Sequence, residues 1–203
     1  MARAFVRDGA RFVAVLDETE RVVLAGLMQQ TRMLLAPEVE PTGDEWGDLV
    51  ASLGASLKGD RAGGADDERD PALDRLLPVG HRGDDAIAVE FRRLTEEGLR
   101  QRKSGNLDVA VERLRSARRG RVVLDQAAAT AFVMALTDVR LLLGERLGLH
   151  TEQDADALYA SLDELDELDE DDPTGYAVAW YDFLTWLQET LTTALMGETG
   201  PGV

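Results

Sequence analysis

His81 and His150 are the only side chains here whose ordinary titration falls near neutral pH. They stand 69 residues apart, each in a stretch that reads as a loop, so they do not form a catalytic or metal-binding pair. The chain has no His-x-x-x-His pair, no Gly-x-x-x-x-Gly-Lys phosphate loop, no Gly-x-Gly-x-x-Gly after a strand and no Gly-x-Ser-x-Gly elbow. Cysteine is absent, which excludes disulfides, thiolate metal centres and cysteine nucleophiles. The run Asp163 to Asp172, DELDELDEDD, is acidic enough to attract cations. It lacks the central glycine and the alternate oxygen ligands of a calcium loop, and reads as a solvated helix face. These residue types name no catalytic group, no cofactor and no metal site.

Charge carries more information. Of 203 residues, 22 are basic and 39 acidic, a net charge of −17. Residues 151–203 hold 14 of the acids and no Lys or Arg, whereas Arg92 to Arg121 holds ten basic and four acidic residues. A basic block facing an acidic block reads either as two solvated faces of one fold or as a partner-binding surface. We expect the acidic helix at 152–170 to neutralise Arg92–Arg121 within the chain or across a homodimer. Arg140 sits on an apolar helical seam, with Leu136 at i−4, Leu143 at i+3 and Leu147 at i+7. A buried arginine needs an acid, and Asp182, between Tyr181 and Phe183, is the expected partner in a structural charge pair. The alternative is that Arg140 snorkels outward over its leucines. Five of the eleven aromatic residues fall between Tyr176 and Trp186. Most suit a core, but Tyr181 and Trp186 lie off the main seam and suit a dimer or partner interface.

The elements that must position these groups follow from periodicity. Phe5-Val6-Arg7 and Arg11 to Val15 flank Asp8-Gly9 and predict a β-hairpin. Asp17-x-x-Glu20 is a capping-box variant opening a helix to about Ala36. A second helix is predicted over Asp44 to Leu57, then a mobile loop at 58–70, since KGDRAGGADDERD offers almost nothing to bury. Asp70-Pro71 starts a short helix. Helices follow at Ala86 to about Lys103 and Leu107 to Arg118, separated by Ser104-Gly105-Asn106. Val122-Val123-Leu124 is either a third strand of the hairpin sheet or an extended connector. Asp125 caps the most apolar helix, Gln126 to Leu147, and an acidic segment at 151–172 leads to a final helix capped by Asp172-Pro173. The longest run without a charged residue is Gln126 to Thr137, twelve residues, so no membrane span is expected. The N-terminus lacks the apolar run of a secretory signal.

Several of these segments in this order resemble an actinobacterial family of uncharacterised acidic proteins, the domain-of-unknown-function family twenty-seventeen. They are FVRDGARFVAVLDETERVVL at Phe5–Leu24, DPALDRLLP at Asp70–Pro78, FRRLTEEGLR at Phe91–Arg100, GRVVLD at Gly120–Asp125, LTDVRLLLGERLG at Leu136–Gly148 and YDFLTWLQETL at Tyr181–Leu191. Residues 37–69 and 151–172 contribute little to the likeness. The family has no established activity and so lends no catalytic residue. Its genes often neighbour that of the Clp protease adaptor ClpS, and the resemblance therefore implies a link to protein turnover.

The sequence thus predicts a mainly α protein. One domain over 1–203 forms a single-core bundle of about seven helices with a small N-terminal β-hairpin or three-stranded sheet. The expected function is that of a non-enzymatic, cytoplasmic interaction or regulatory protein with a protein partner, without nucleic acid or membrane. The alternatives are an enzyme with carboxylate chemistry in a helical cleft and nucleic-acid binding through Arg92–Arg121.

Overall fold

The computed structural model of the chain describes residues 2–36, 70–78, 85–163 and 173–197. The expected helix at 44–57, residues 58–69 of the expected loop, His81 and residues 164–172 of the acidic segment lie outside the described residues. Two strands come first, β1 (Arg3–Asp8) and β2 (Arg11–Val15), followed by helices α1 (Glu18–Leu35), α2 (Pro71–Leu76) and α3 (Asp85–Arg115). Then come β3 (Arg121–Leu124), α4 (Gln126–Arg146), α5 (Glu152–Asp163) and α6 (Pro173–Met196). The described chain is a bundle of six helices with a three-stranded antiparallel sheet in the order β1-β2-β3. Val122-Val123-Leu124 is therefore a strand and not a connector, with Val13 opposite Val123 and Ala14 opposite Val122.

Helix starts follow the local chemistry. Asp17 accepts the Glu20 N–H at 2.9 Å and Glu20 accepts the Asp17 N–H at 2.7 Å, a complete capping box. Asp70 accepts the Ala72 N–H at 3.0 Å and Asp125 the Ala128 N–H at 2.9 Å. The hairpin turn is one residue later than the Asp8-Gly9 reading: Asp8 pairs with Arg11, and Gly9 takes φ +61 in the first turn position. A second tight turn precedes β3, where Arg119 (φ 52) and Gly120 (φ 76) both adopt the left-handed region between the bridged Arg118 and Arg121.

One boundary expected from sequence is absent. Ser104-Gly105-Asn106 does not break the chain, and α3 runs through it as one 31-residue helix. Leu107, Ala110, Val111 and Leu114 are buried along its second half. Burial on this scale outweighs a mid-helix glycine, which costs only about 1 kcal/mol.

The core centres on α4, which meets α1, α2, α3, α6 and the sheet. Phe132, Leu136 and Val139 are fully buried. From the sheet, Phe5, Phe12, Ala14, Val122 and Leu124 face inward, and the Phe5 ring meets Phe132 edge-on at 5.7 Å. By length and composition α4 is also apolar enough to cross a bilayer, more than its charge-free run of twelve residues suggested, and half of that stretch is buried inside the fold. On α6, Val178, Leu184, Leu187, Leu191 and Ala194 are buried. Tyr176, expected inside, is 57% exposed at the helix start.

The turn before β3 gives a paired prediction. A Cβ on Gly120 would lie 2.6 Å from the Leu16 carbonyl oxygen, and the two residues cannot simply move apart, since the Leu16 N–H donates to Gly120 O at 2.9 Å. Gly120→Ala should destabilise the fold by about 3 kcal/mol in urea unfolding. Gly105, with nothing within 4 Å of its would-be Cβ, should behave oppositely. Gly105→Ala should gain about 1 kcal/mol. Equal effects at both positions would contradict this geometry.

Candidate functional site

Arg140 does not pair with Asp182. It projects from α4 into the joint with α6, where NH1 donates to Gln188 Oε1 at 3.0 Å and NH2 to the Tyr181 hydroxyl at 3.4 Å. The guanidinium also lies 5.2 Å from the Tyr181 ring centre. Gln188 in turn donates from Nε2 to Thr137 Oγ1 at 2.9 Å, and Thr137 donates to Val133 O at 3.0 Å. Arg140 Nε is buried without a partner. Tyr181 and Gln188 are seven residues apart and share one face of α6. Asp182 is one residue on from Tyr181, about 100° round the helix, and exposed. It accepts instead from the Tyr159 hydroxyl of α5 at 2.5 Å.

Tyr181 is half-buried, its ring 3.7 Å from the position a Cβ would take on Gly144. Trp186 is also half-buried and stacks at a tilt on Phe183 at 5.7 Å. It ends a run of ring contacts, Tyr176 to Trp180 to Phe183 to Trp186, along α6. Two shallow clefts flank Arg140. The larger, about 250 Å³, is lined by Gln188, Glu189, Thr192, Thr193 and Met196 with Arg140. The smaller, about 160 Å³, lies between Arg140, Arg75, Leu141, Leu149 and Tyr181.

A buried charge pair does exist on α4, two residues before Arg140. Asp138 is 2% exposed and pairs with Lys103 of α3. Burial pushes the Asp138 carboxyl above its ordinary range, while Lys103 pulls it down; the desolvation is the larger effect. Its Oδ2 is buried without a hydrogen bond. The signal was present in the sequence: Asp138 has Ala135 at i−3 and Leu142 at i+4, both of which are buried. Seam reasoning that stopped at Arg140 passed over it.

Helix α5 is held lightly. None of its side chains from Glu152 to Ser161 is buried, and it shares no extended packing with another element. Thr151 and Asp154 cap it reciprocally: Asp154 Oδ2 accepts the Thr151 N–H at 2.7 Å, and Thr151 Oγ1 accepts the Asp154 N–H at 3.2 Å. These bonds hold the Asp154 carboxyl below its usual value. Among the described residues its tertiary anchor is the Tyr159–Asp182 bond, and donating to that carboxylate raises the Tyr159 pKa to about 12. Among the described residues no ion pair joins α5 to Arg92–Arg121, so the expected neutralisation is not found there. The block's paired members use other acids: Arg100 with Glu96, Lys103 with Asp138, and Arg113 with Asp125.

Comparison with known proteins adds one finding. Residues 2–195 match a family described as a domain of unknown function, DUF2017. The chain belongs to the DUF2017 family. No curated protein and no solved structure matches it.

Among the described residues, the outer face of the sheet in this DUF2017 chain is partly open. Register places Val6, Val13 and Val123 in one row across the three strands, with Val6 58% and Val123 37% exposed and Val13 between them buried. The next row is Arg3, Val15 and Arg121, with both arginines exposed. Arg115, Arg118 and Arg119 continue the basic surface around the turn into β3. Among the described residues none of these five arginines has a carboxylate within ion-pair distance. His150 is exposed, with Nδ1 2.5 Å from Arg75 and 3.5 Å from Glu145. Among the described residues no three His, Asp or Glu side chains converge as a metal-ligand set.

Two measurements follow. Lys103→Met leaves Asp138 buried and unpaired and should cost about 3 kcal/mol at neutral pH. Because the carboxyl's folded pKa is raised, its protonated form is favoured by folding; the loss should shrink as pH falls through that raised value. The Lys103→Met, Asp138→Leu double variant should recover most of the loss, and a cost independent of pH would refute the pairing. Separately, absorbance titration should show one of the three tyrosines ionising at about 12, and returning toward 10 in Asp182→Asn.

Proposed function

We propose that this chain is a non-enzymatic, cytoplasmic interaction or regulatory protein that receives an acidic protein partner on the outer face of its sheet. The observation that carries this reading is the pair of exposed valines, Val6 and Val123, in one row of the sheet beside unpaired Arg3 and Arg121. An apolar strip next to uncompensated positive charge suits a partner that supplies both apolar contact and carboxylates. Had the acidic segment covered the basic block, a partner with basic residues would be favoured. With the arginines around β3 unpaired, the complementary partner is acidic. Among the described residues, Asp138 in the core is held by Lys103 and Glu145 in the smaller cleft by Arg75, and Glu189 has no second carboxylate beside it in the lining of the larger cleft, which supports binding over paired-carboxylate catalysis. The family resemblance, with its ClpS gene neighbourhood, directs the search to components of Clp-dependent proteolysis.

Nucleic-acid binding is the second reading, favoured by the same unpaired arginines. The face exposes valines where stacking rings would be needed, and the chain's net charge of −17 repels polyanions. The test is biolayer interferometry of the full chain against purified ClpS, its Clp ATPase and a DNA duplex. We expect protein binding that weakens about tenfold in Arg118→Glu, Arg121→Glu and again as salt rises, because exposed charges are screened over about 10 Å at 0.1 M. Protein binding indifferent to both changes, or duplex binding tighter than protein binding, would overturn the reading.

A further inference from the structure

Arg140 carries a charge that the fold fixes in place without neutralising it. Gln188 Oε1, the Tyr181 hydroxyl and the Tyr181 ring hold the guanidinium, and all three are neutral. The acids that surround it are engaged elsewhere. Asp138 faces Lys103, Asp182 accepts from Tyr159, and Glu145 holds Arg75 at 2.9 Å with His150 near by. Glu189 lines the larger cleft beside Arg140 but does not reach ion-pair distance. A guanidinium has five N–H donors in a planar fork, and here two are used.

The two clefts differ in what they offer. The larger places an acid, Glu189, and two threonines around the arginine. The smaller has its acid, Glu145, already neutralised by Arg75 at 2.9 Å, so Arg140 is its uncompensated charge, with Leu141, Leu149 and the Tyr181 ring as apolar walls. At about 160 Å³ it has room for a few heavy atoms, too little for a nucleotide or a folded segment. The geometry points to a carboxylate-binding subsite in this smaller cleft, where Arg140 takes a carboxylate borne on a short apolar group that rests against Leu141 and Leu149. A carboxylate matches the planar fork, and the leucine walls reward an alkyl chain beside it. Such a group is found both at the C-terminus of a peptide ending in an aliphatic residue and in a free small carboxylic acid. The subsite is independent of the sheet face, which lies on other elements.

The test is an amide-detected NMR titration of the full chain with three probes: N-acetyl-leucine, its C-terminal amide and 4-methylpentanoate. N-acetyl-leucine should give saturable shifts at Leu141, Gly144 and Leu149. The amide should bind at least about tenfold more weakly, as should N-acetyl-leucine to Arg140→Gln, since a charge-assisted pair is lost. If 4-methylpentanoate binds as well as N-acetyl-leucine, the carboxylate alone is read and a free acid is the ligand class. If it binds more weakly, the peptide group is read too and a chain terminus is the class. Equal binding of the amide, equal binding by Arg140→Gln, or no saturable shift with any probe would overturn the subsite. Should Arg140→Gln fail to fold, Arg140→Lys keeps the charge and the stem but loses the fork, and undiminished binding by that variant would overturn it equally.

Discussion

Helix α4 presents buried side chains over about two-thirds of its circumference, from Asp138 and Leu142 through Ala128, Phe132 and Leu136 to Gly144. A helix with so wide an apolar surface must be covered on several sides at once. Helix α3 covers one side, α6 another and α2 a third, while α1 and the sheet close the remainder. The other elements can then be amphipathic, each burying one stripe: Leu24, Met28 and Leu35 on α1, Leu107, Val111 and Leu114 on α3, and Leu184, Leu187 and Leu191 on α6. The sheet is too small to stand alone and persists because Phe5, Phe12, Val122 and Leu124 are buried in the same core.

Two charges interrupt that surface, and they meet different fates. Asp138 and Arg140 are two residues apart, so they project about 200° apart around α4. Asp138 turns to α3 and finds Lys103; Arg140 turns to α6 and finds only neutral groups. Neither can serve the other, and the helix carries one compensated and one uncompensated charge through the same core. The first ties α3 to α4 in a fixed register. The second leaves positive charge at the mouth of two clefts, which is the most specific chemistry the described fold displays.

Among the described residues the acidic and basic blocks are likewise left unmatched. The acidic helix α5 buries none of its described side chains, and the Tyr159–Asp182 phenol–carboxylate bond ties it to α6. The arginines around β3 face outward beside the exposed Val6 and Val123. Exposed ion pairs contribute little to stability, so folding gains almost nothing from bringing the two blocks together. Their separation leaves exposed arginines and valines side by side at the sheet of an acidic protein.

Much of the fold was legible from local pattern. The capping acids Asp17, Asp70 and Asp125, the hairpin, the α4 seam and the stripe of α6 depend on hydrogen bonds and periodicities within a few residues, which the sequence states directly. What local pattern misjudged was the continuity of α3 at Gly105 and the exposure of Tyr176, because burial elsewhere on a helix can override a weak residue and a helix end can fall outside the core. The site was less legible. That Arg140 was unusual followed from its neighbours in the sequence, but its partners did not. Asp182 and Tyr181 are adjacent in the chain, yet only one turns toward α4, and that depends on the rotation of α6 in the assembled bundle. The sequence by itself determined which residues begin, line and end the elements, since those choices are set by backbone hydrogen bonds and side-chain periodicity. Only the tertiary structure decided which charges meet, because a pairing across 35 residues, as in Lys103–Asp138, is set by how whole helices settle against α4 and not by any spacing along the chain.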